Sequence, residues 1–167
     1  PYTNGNKAPY SESGRAYYGD HLEGTVTATD FGEYTASGEV ATTLSSNLSQ
    51  HLRKLNKMRA AVPALRRGQY TTDSNYVSDG TAYIRRYTNA LEGIDSFACV
   101  CVSGGATFKN LPKGKYVDIC TGDEKEVGEG GSFTASCSGT GNLRIYVNAT
   151  LDSSITGKIG GDSPFIK

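Results

Sequence analysis

Apolar residues recur every three or four positions at Leu44, Leu48, Leu52, Leu55 and Val62, with Met58 on the flank. That spacing draws one apolar stripe and predicts an amphipathic helix over 44–62. Thr43, Ser45 or Ser46 can cap its start. Pro63 disfavours helical geometry at Val62, and Gly68 turns the chain into the next element. From Gly68 onward the period drops to two. TAYIRRYT, SFACVCVS, GKYVDICTG, GSFTASCSG and GNLRIYVNAT are short alternating runs separated by Gly, Asp, Asn or Pro, the pattern of antiparallel strands in a sandwich or barrel. Residues 1–43 carry no sustained period and read as loops with one short strand, a segment that needs a neighbour to bury its surface. The chain thus divides into a loop-rich segment with the helix (1–67), an antiparallel β-domain (68–150) and a linker or tail (151–167).

Composition supports that division. The 21 Gly, 11 Tyr and absence of Trp suit turn-rich β-structure with polar sheet faces. The helix raises a question of its own, since HLRKLNKMRAAVPALRRGQY holds cations and no carboxylate. With a formal net charge of +0, no global field draws the chain to polyanions or membranes. Arg53, Lys54 and Lys57 fall mostly off the stripe, and the later cations cluster where the helix dipole favours positive charge. A solvated face with dipole compensation accounts for them, and no interleaved aromatics or nucleic-acid-binding signature argue for nucleic acid. No apolar run is long enough to span a bilayer as a helix.

Candidate chemistry is sparse. Cys99 and Cys101 share one face of a strand and are poorly placed to bond each other. The spacing to Cys120 and Cys137 fits no zinc pattern. Either one cross-strand disulfide joins Cys99 or Cys101 to Cys120 or Cys137, or the thiols stay reduced and buried. Asp30 with Glu33 and Asp73 with Asp79 lack the dense oxygen spacing of a calcium loop. NLS at 47 and NAT at 148 fit the glycosylation pattern, the first within the helix. SGGATF and GEGGSF read as β-turn punctuation, since neither opens a predicted helix that could receive phosphate.

Several segments, taken in order, resemble the C-terminal end of the α-amylase family of glycoside hydrolases. AYYGD is similar to the segment at the eighth strand of that family's catalytic barrel, although the preceding KAPYSESGR is polar where the family has an apolar run. LSQHLRKLNKMRAAVPALRRGQY resembles the last barrel helix and its PALRxG exit. DGTAYIRRY, LPKGKYVDICTGD and GNLRIYVN resemble the closing antiparallel β-domain, and GKIGGDSPFIK the linker of multidomain bacterial forms. The likeness spans residues 17–150 and is strongest over 49–70 and 111–148. It implies a mainly β fold with one long helix: the residual end of a (β/α)8 barrel followed by a small antiparallel β-sandwich. It also implies an extracellular, starch-degrading parent whose partners are the rest of the barrel and starch or maltooligosaccharide, without nucleic acid or membrane.

Retaining glycoside hydrolysis needs two carboxyl groups roughly 5 Å apart across the scissile bond. In the family those groups lie upstream of this stretch, so the resemblance implies no catalytic residue, metal or cofactor within this chain; calcium would belong to the parent. Tyr17, Tyr18, Asp20 and His21, with Glu23 beside them, could contact sugar at a barrel mouth, but a polar loop after a strand is the simpler reading. His51 is expected at the surface or half-buried. The leading expectation is a structural, stabilising C-terminal piece of an enzyme cleaving α-1,4-glucosidic bonds. The alternative is a free-standing carbohydrate-binding or adhesive β-module using Tyr76, Tyr83, Tyr87 or Tyr116, which the lack of Trp disfavours. A third expectation is an autonomous hydrolase using Asp20, His21 and Glu23.

Overall fold

The computed structural model describes residues 25–28, 32–35, 38–78, 81–137 and 142–166. They fall into two compact units, 1–50 and 51–167. The division lies inside the long helix, where the sequence pattern drew boundaries at 67/68 and 150/151.

In the first unit, β1 (Thr25–Ala28) and β2 (Gly32–Thr35) form an antiparallel pair with Val26 opposite Tyr34. Helix α1 (Gly38–Ser45) follows, so residues 38–43 are helical rather than loop. Nothing between Glu39 and Ser45 is a helix breaker, and the Gly-rich composition upstream had masked this stretch. The helix predicted over 44–62 is therefore two helices. The break falls at Ser46, whose hydroxyl accepts the backbone N–H of Ser49 at 3.3 Å and so caps α2 (Asn47–Ala61).

The second unit begins within α2. Pro63 holds Val62 extended (φ −108°, ψ 109°) and opens the short helix α3 (Pro63–Arg67). Gly68 ends it for a steric reason. A Cβ there would stand 2.5 Å from the Ala64 carbonyl oxygen and 2.8 Å from that of Arg86, so only glycine lets α3 close onto the neighbouring strand. Arg85 clamps the same corner by donating from its guanidinium to the Leu65 and Gly68 carbonyls.

Among the described residues eight strands follow: β3 (Gln69–Thr71), β4 (Ala82–Asn89), β5 (Ile94–Cys101), β6 (Gly105–Leu111), β7 (Gly114–Asp118), β8 (Glu124–Val127), β9 (Gly131–Ser136) and β10 (Arg144–Asn148). Six build one antiparallel sheet in the order β3-β4-β5-β10-β7-β8, while β6 and β9 pair separately. The five alternating runs of the sequence correspond to β4, β5, β7, β9 and β10. Strand β6 corrects the reading of SGGATF: the turn is confined to Ser103 and Gly104, and Gly105 already pairs with Ser136.

Alternation along each strand sends side chains to two cores, one on each face of the large sheet. Phe97, Cys99 and Cys101 of β5 and Tyr146 of β10 face the β6–β9 pair, joining Phe108, Tyr116, Phe133 and Cys137. Phe133 sits at the centre of this core, with ring centroids 4.8 Å from Tyr146 and 5.4 Å from Tyr116. Ala98, Val100, Ile145 and Val147 face the other way, against Met58, Val62, Ala64 and Leu65 of the helical segment. The large sheet is covered on both faces, which is why β5 reads as continuously apolar from Phe97.

The last segment, 152–166, adds Ile155, Ile159 and Ile166 to the helix-side core. Ile155 is buried there, and Ile159 donates its N–H to the Ile119 carbonyl at 2.9 Å. Gly160 lies against the stem of Lys54. This strap buries Lys54, correcting its place on a solvated face. Its amine donates to the Cys120 carbonyl at 3.1 Å, and burial lowers its pKa from the ordinary lysine value, with Lys158 adding to the shift.

Candidate functional site

The apolar stripe of α2 is used unevenly. Met58 and Val62 are 1% and 0% exposed, pressed on the outer face of the sheet. Leu55 is partly buried at the edge of the same core. Leu52, three residues earlier, is 50% exposed, and Leu48 is 60% exposed. Beside Leu55 a shallow groove of about 200 Å³ opens between helix and sheet, with Leu65, Val100, Val102, Leu143 and Ile145 along its apolar walls. Arg59, Arg85 and Tyr83 supply its polar margin. Val102 is itself 45% exposed. The apolar helix face therefore continues beyond the part that the described residues cover.

One turn before Leu55 on the same helix, His51 is half-buried. Its Nδ1 lies 2.8 Å from the Ser163 hydroxyl, and its ring meets Phe165 edge-on at 5.3 Å. These contacts hold the strap in place.

A second polar centre lies at the end of β7. Asp118 is fully buried. One carboxylate oxygen accepts the N–H groups of Ile145 (2.9 Å) and Cys120 (3.1 Å), and the other accepts the Thr121 hydroxyl, with Arg144 at 3.7 Å. Nearby, the Tyr146 hydroxyl donates to Asp123 at 2.7 Å, and Lys125 pairs with the same carboxylate. Those two donors hold Asp123 below the usual carboxylate range, Lys125 contributing most, while burial pushes the Tyr146 phenol upward. Every oxygen of Asp118 is engaged by protein donors, so this centre locks the β7–β10 corner. Asp118 does not stand out along the chain, because a carboxylate inside GKYVDICTG carries no signal of burial. Its hint was the following Cys-Thr-Gly turn, whose N–H groups need an acceptor.

The predicted sugar contacts Tyr17, Tyr18, Asp20 and His21, together with Glu23, lie outside the described residues, as do Asp30 and Asp79. Of the tyrosines proposed as stacking faces, Tyr76 is 37% exposed and Tyr83 and Tyr87 are half-buried. Tyr116 is withdrawn as a candidate. It is fully buried between the sheets, its hydroxyl donating to the Pro112 carbonyl at 2.8 Å. Tyr70, which the sequence reading did not single out, is 70% exposed and stands edge-on to Tyr83 at 6.1 Å. Asn148 is no glycan acceptor in the folded chain. It is fully buried, accepting from the N–H groups of Thr150 and Leu151 and donating to the Lys113 carbonyl. Asp73 accepts the Asn75 N–H in a local turn.

All four cysteines are buried thiols. Burial raises the Cys99 and Cys120 thiols above the ordinary cysteine range. Among the described residues, no three His, Cys, Asp or Glu side chains gather as a metal site, and no helix is long and apolar enough to cross a membrane. Comparison with protein-family models, with curated proteins and with solved structures returned no match.

Proposed function

We propose that this chain is the C-terminal portion of an extracellular α-amylase-like enzyme acting on α-1,4-glucosidic bonds, with a structural and stabilising role of its own. In this reading α2 is the last helix of a (β/α)8 barrel and the two sheets form the β-domain that closes it. The observation that carries the reading is the divided stripe: Met58 and Val62 are buried on the sheet, whereas Leu48 and Leu52 remain open to water. A helix that is apolar past its own covered surface is built to meet a larger body. The order of the PALRRG, LPKGKYVDICTGD and GNLRIYVN segments supports the same reading, since Gly68 and Asp118 within them have steric and hydrogen-bonding duties at domain corners. Catalysis then resides upstream. The intact mass of the protein from its native source tests this directly. A complete barrel adds on the order of 250 residues, whereas a native chain of 17.7 kDa would overturn the proposal. Hydrolysis of starch by the 167-residue chain alone would overturn it equally.

A second reading, a carbohydrate-binding module, is favoured by the exposed Tyr70 standing against Tyr83. Sugar C–H faces stack on such rings. Millimolar maltooligosaccharide binding that is lost in Tyr70→Ala would support it, and no binding by the wild-type chain at millimolar sugar would dismiss it.

A further inference from the structure

The two cores settle which cysteines can meet. Cys120 lies on the helix side of the large sheet, whereas Cys99, Cys101 and Cys137 lie between the sheets. A bond from Cys120 to any of the others would have to pass through the sheet, so Cys120 is excluded. Cys99 and Cys101 point to the same face two residues apart along β5, which disfavours their joining. Cys137 remains, and its surroundings select one partner. It follows the end of β9, where its N–H donates to the Gly104 carbonyl at 2.5 Å, while its Sγ lies 3.4 Å from the Cys101 carbonyl oxygen. Both residues stand at the same end of the facing sheets, Cys101 as the last residue of β5 and Cys137 just past β9. The Cys101 thiol is turned toward the Ser103 carbonyl of the connecting turn, so bonding to Cys137 takes a different χ1 rotamer at Cys101.

We propose that Cys101 and Cys137 are an oxidisable pair that forms one disulfide in an oxidising compartment, stitching β5 of the large sheet to β9 of the small one. The thiolate of one cysteine attacks a disulfide oxidant such as oxidised glutathione, forming a mixed disulfide and releasing one glutathione. The second thiolate then displaces the other glutathione. Two cysteine thiols are oxidised to one disulfide and one glutathione disulfide is reduced to two thiols, so electrons and protons balance. Because both side chains are buried once folded (0% and 4% exposed), the reaction belongs to folding or to an opened state, before the sheets close. The inference uses the β-domain geometry alone and stands independently of the enzyme reading.

The test is oxidative refolding of the whole chain in a glutathione redox buffer, followed by alkylation and mass measurement. Two alkylated thiols are expected, with a linked peptide pair containing Cys137. Fragmentation between Cys99 and Cys101 identifies the bonded sulfur without any substitution. The link should survive Cys99→Ser and vanish in Cys101→Ser. The oxidised chain should melt higher than the reduced one by on the order of 10 °C, the effect of closing a loop of this length in a domain of this size. Four alkylated thiols in oxidatively refolded, natively folded chain, or a bond through Cys99 or Cys120, would overturn the proposal.

Discussion

Shortening two side chains of one helix, Leu52→Ala and Met58→Ala, should have very different effects. Met58 is 1% exposed and packed among Val62, Val100 and Ile145, so its truncation leaves a cavity and should cost about 2–5 kcal/mol. Leu52 is 50% exposed. Fully burying a leucine contributes about 1.5–3 kcal/mol, of which a half-exposed residue realises about half. Alanine returns a few tenths through its helix propensity, leaving a loss of about 1 kcal/mol or less. Urea denaturation of the purified chain, followed by far-ultraviolet circular dichroism and tyrosine fluorescence, measures both, and Leu91→Ala at 100% exposure is the near-zero reference. The m-value should stay constant, so that midpoint shifts report stability. In the longer parent protein, where the helix face would be covered, the Leu52→Ala loss should rise to about 2–5 kcal/mol. Equal costs for Leu52 and Met58 in the isolated chain would refute the divided stripe. An unchanged Leu52 cost in the longer protein would refute the covering body.

Asp118→Ala should destabilise the chain by about 3–5 kcal/mol, because it takes the acceptor from two backbone N–H groups and the Thr121 hydroxyl and removes the charge that faces Arg144; urea midpoints check this, with Asp118→Asn expected to lose less. Gly68→Ala should lower the melting temperature through backbone collision with Ala64 and Arg86, whereas the same change at Gly157, where a Cβ meets nothing, should be close to neutral. Lys54 carries a folded-state pKa below its unfolded one, so the unfolded chain binds more protons in between, and its contribution to stability should rise as pH climbs through that window toward 10.5. The raised Cys99, Cys120 and Tyr146 values act in the opposite sense over the same range, so melting curves across alkaline pH should show the wild type losing less stability than Lys54→Met. Asp123 has a dependence of the same sign in the acid range. Its depressed folded pKa contributes stability above the unfolded value that disappears on acidification through the folded one, an effect that Asp123→Asn should remove from the acid limb of the stability profile.

The identities of the main elements were legible along the chain because each rests on local periodicity. A three-to-four spacing from Leu44 to Val62 cannot be satisfied by a strand, and the alternation in TAYIRRYT or GNLRIYVN cannot be satisfied by a helix. Pro63 and Gly68 marked their boundaries for the same reason, as backbone restrictions act within a residue or two. Hydroxyl capping at Ser46 was anticipated, although its consequence, a break into two helices, was not. Strand β6 was missed because its bulge between Phe108 and Leu111 interrupts the alternation.

Sequence alone thus determined which segments bend, coil or extend, and that Cys99 and Cys101 share a face. Tertiary structure decided everything that depends on what lies across a gap. It assigned the two faces of β5 to different cores, separated Cys120 from the other cysteines by a sheet, buried Tyr116 and Asn148 away from any sugar or glycan, and folded the strap over Lys54. The physical reason is range. Periodicity and backbone sterics are written in neighbours along the chain, whereas burial is set by residues tens of positions away, such as Gly160 over Lys54 and Ile145 beneath Asp118, which no local pattern can report.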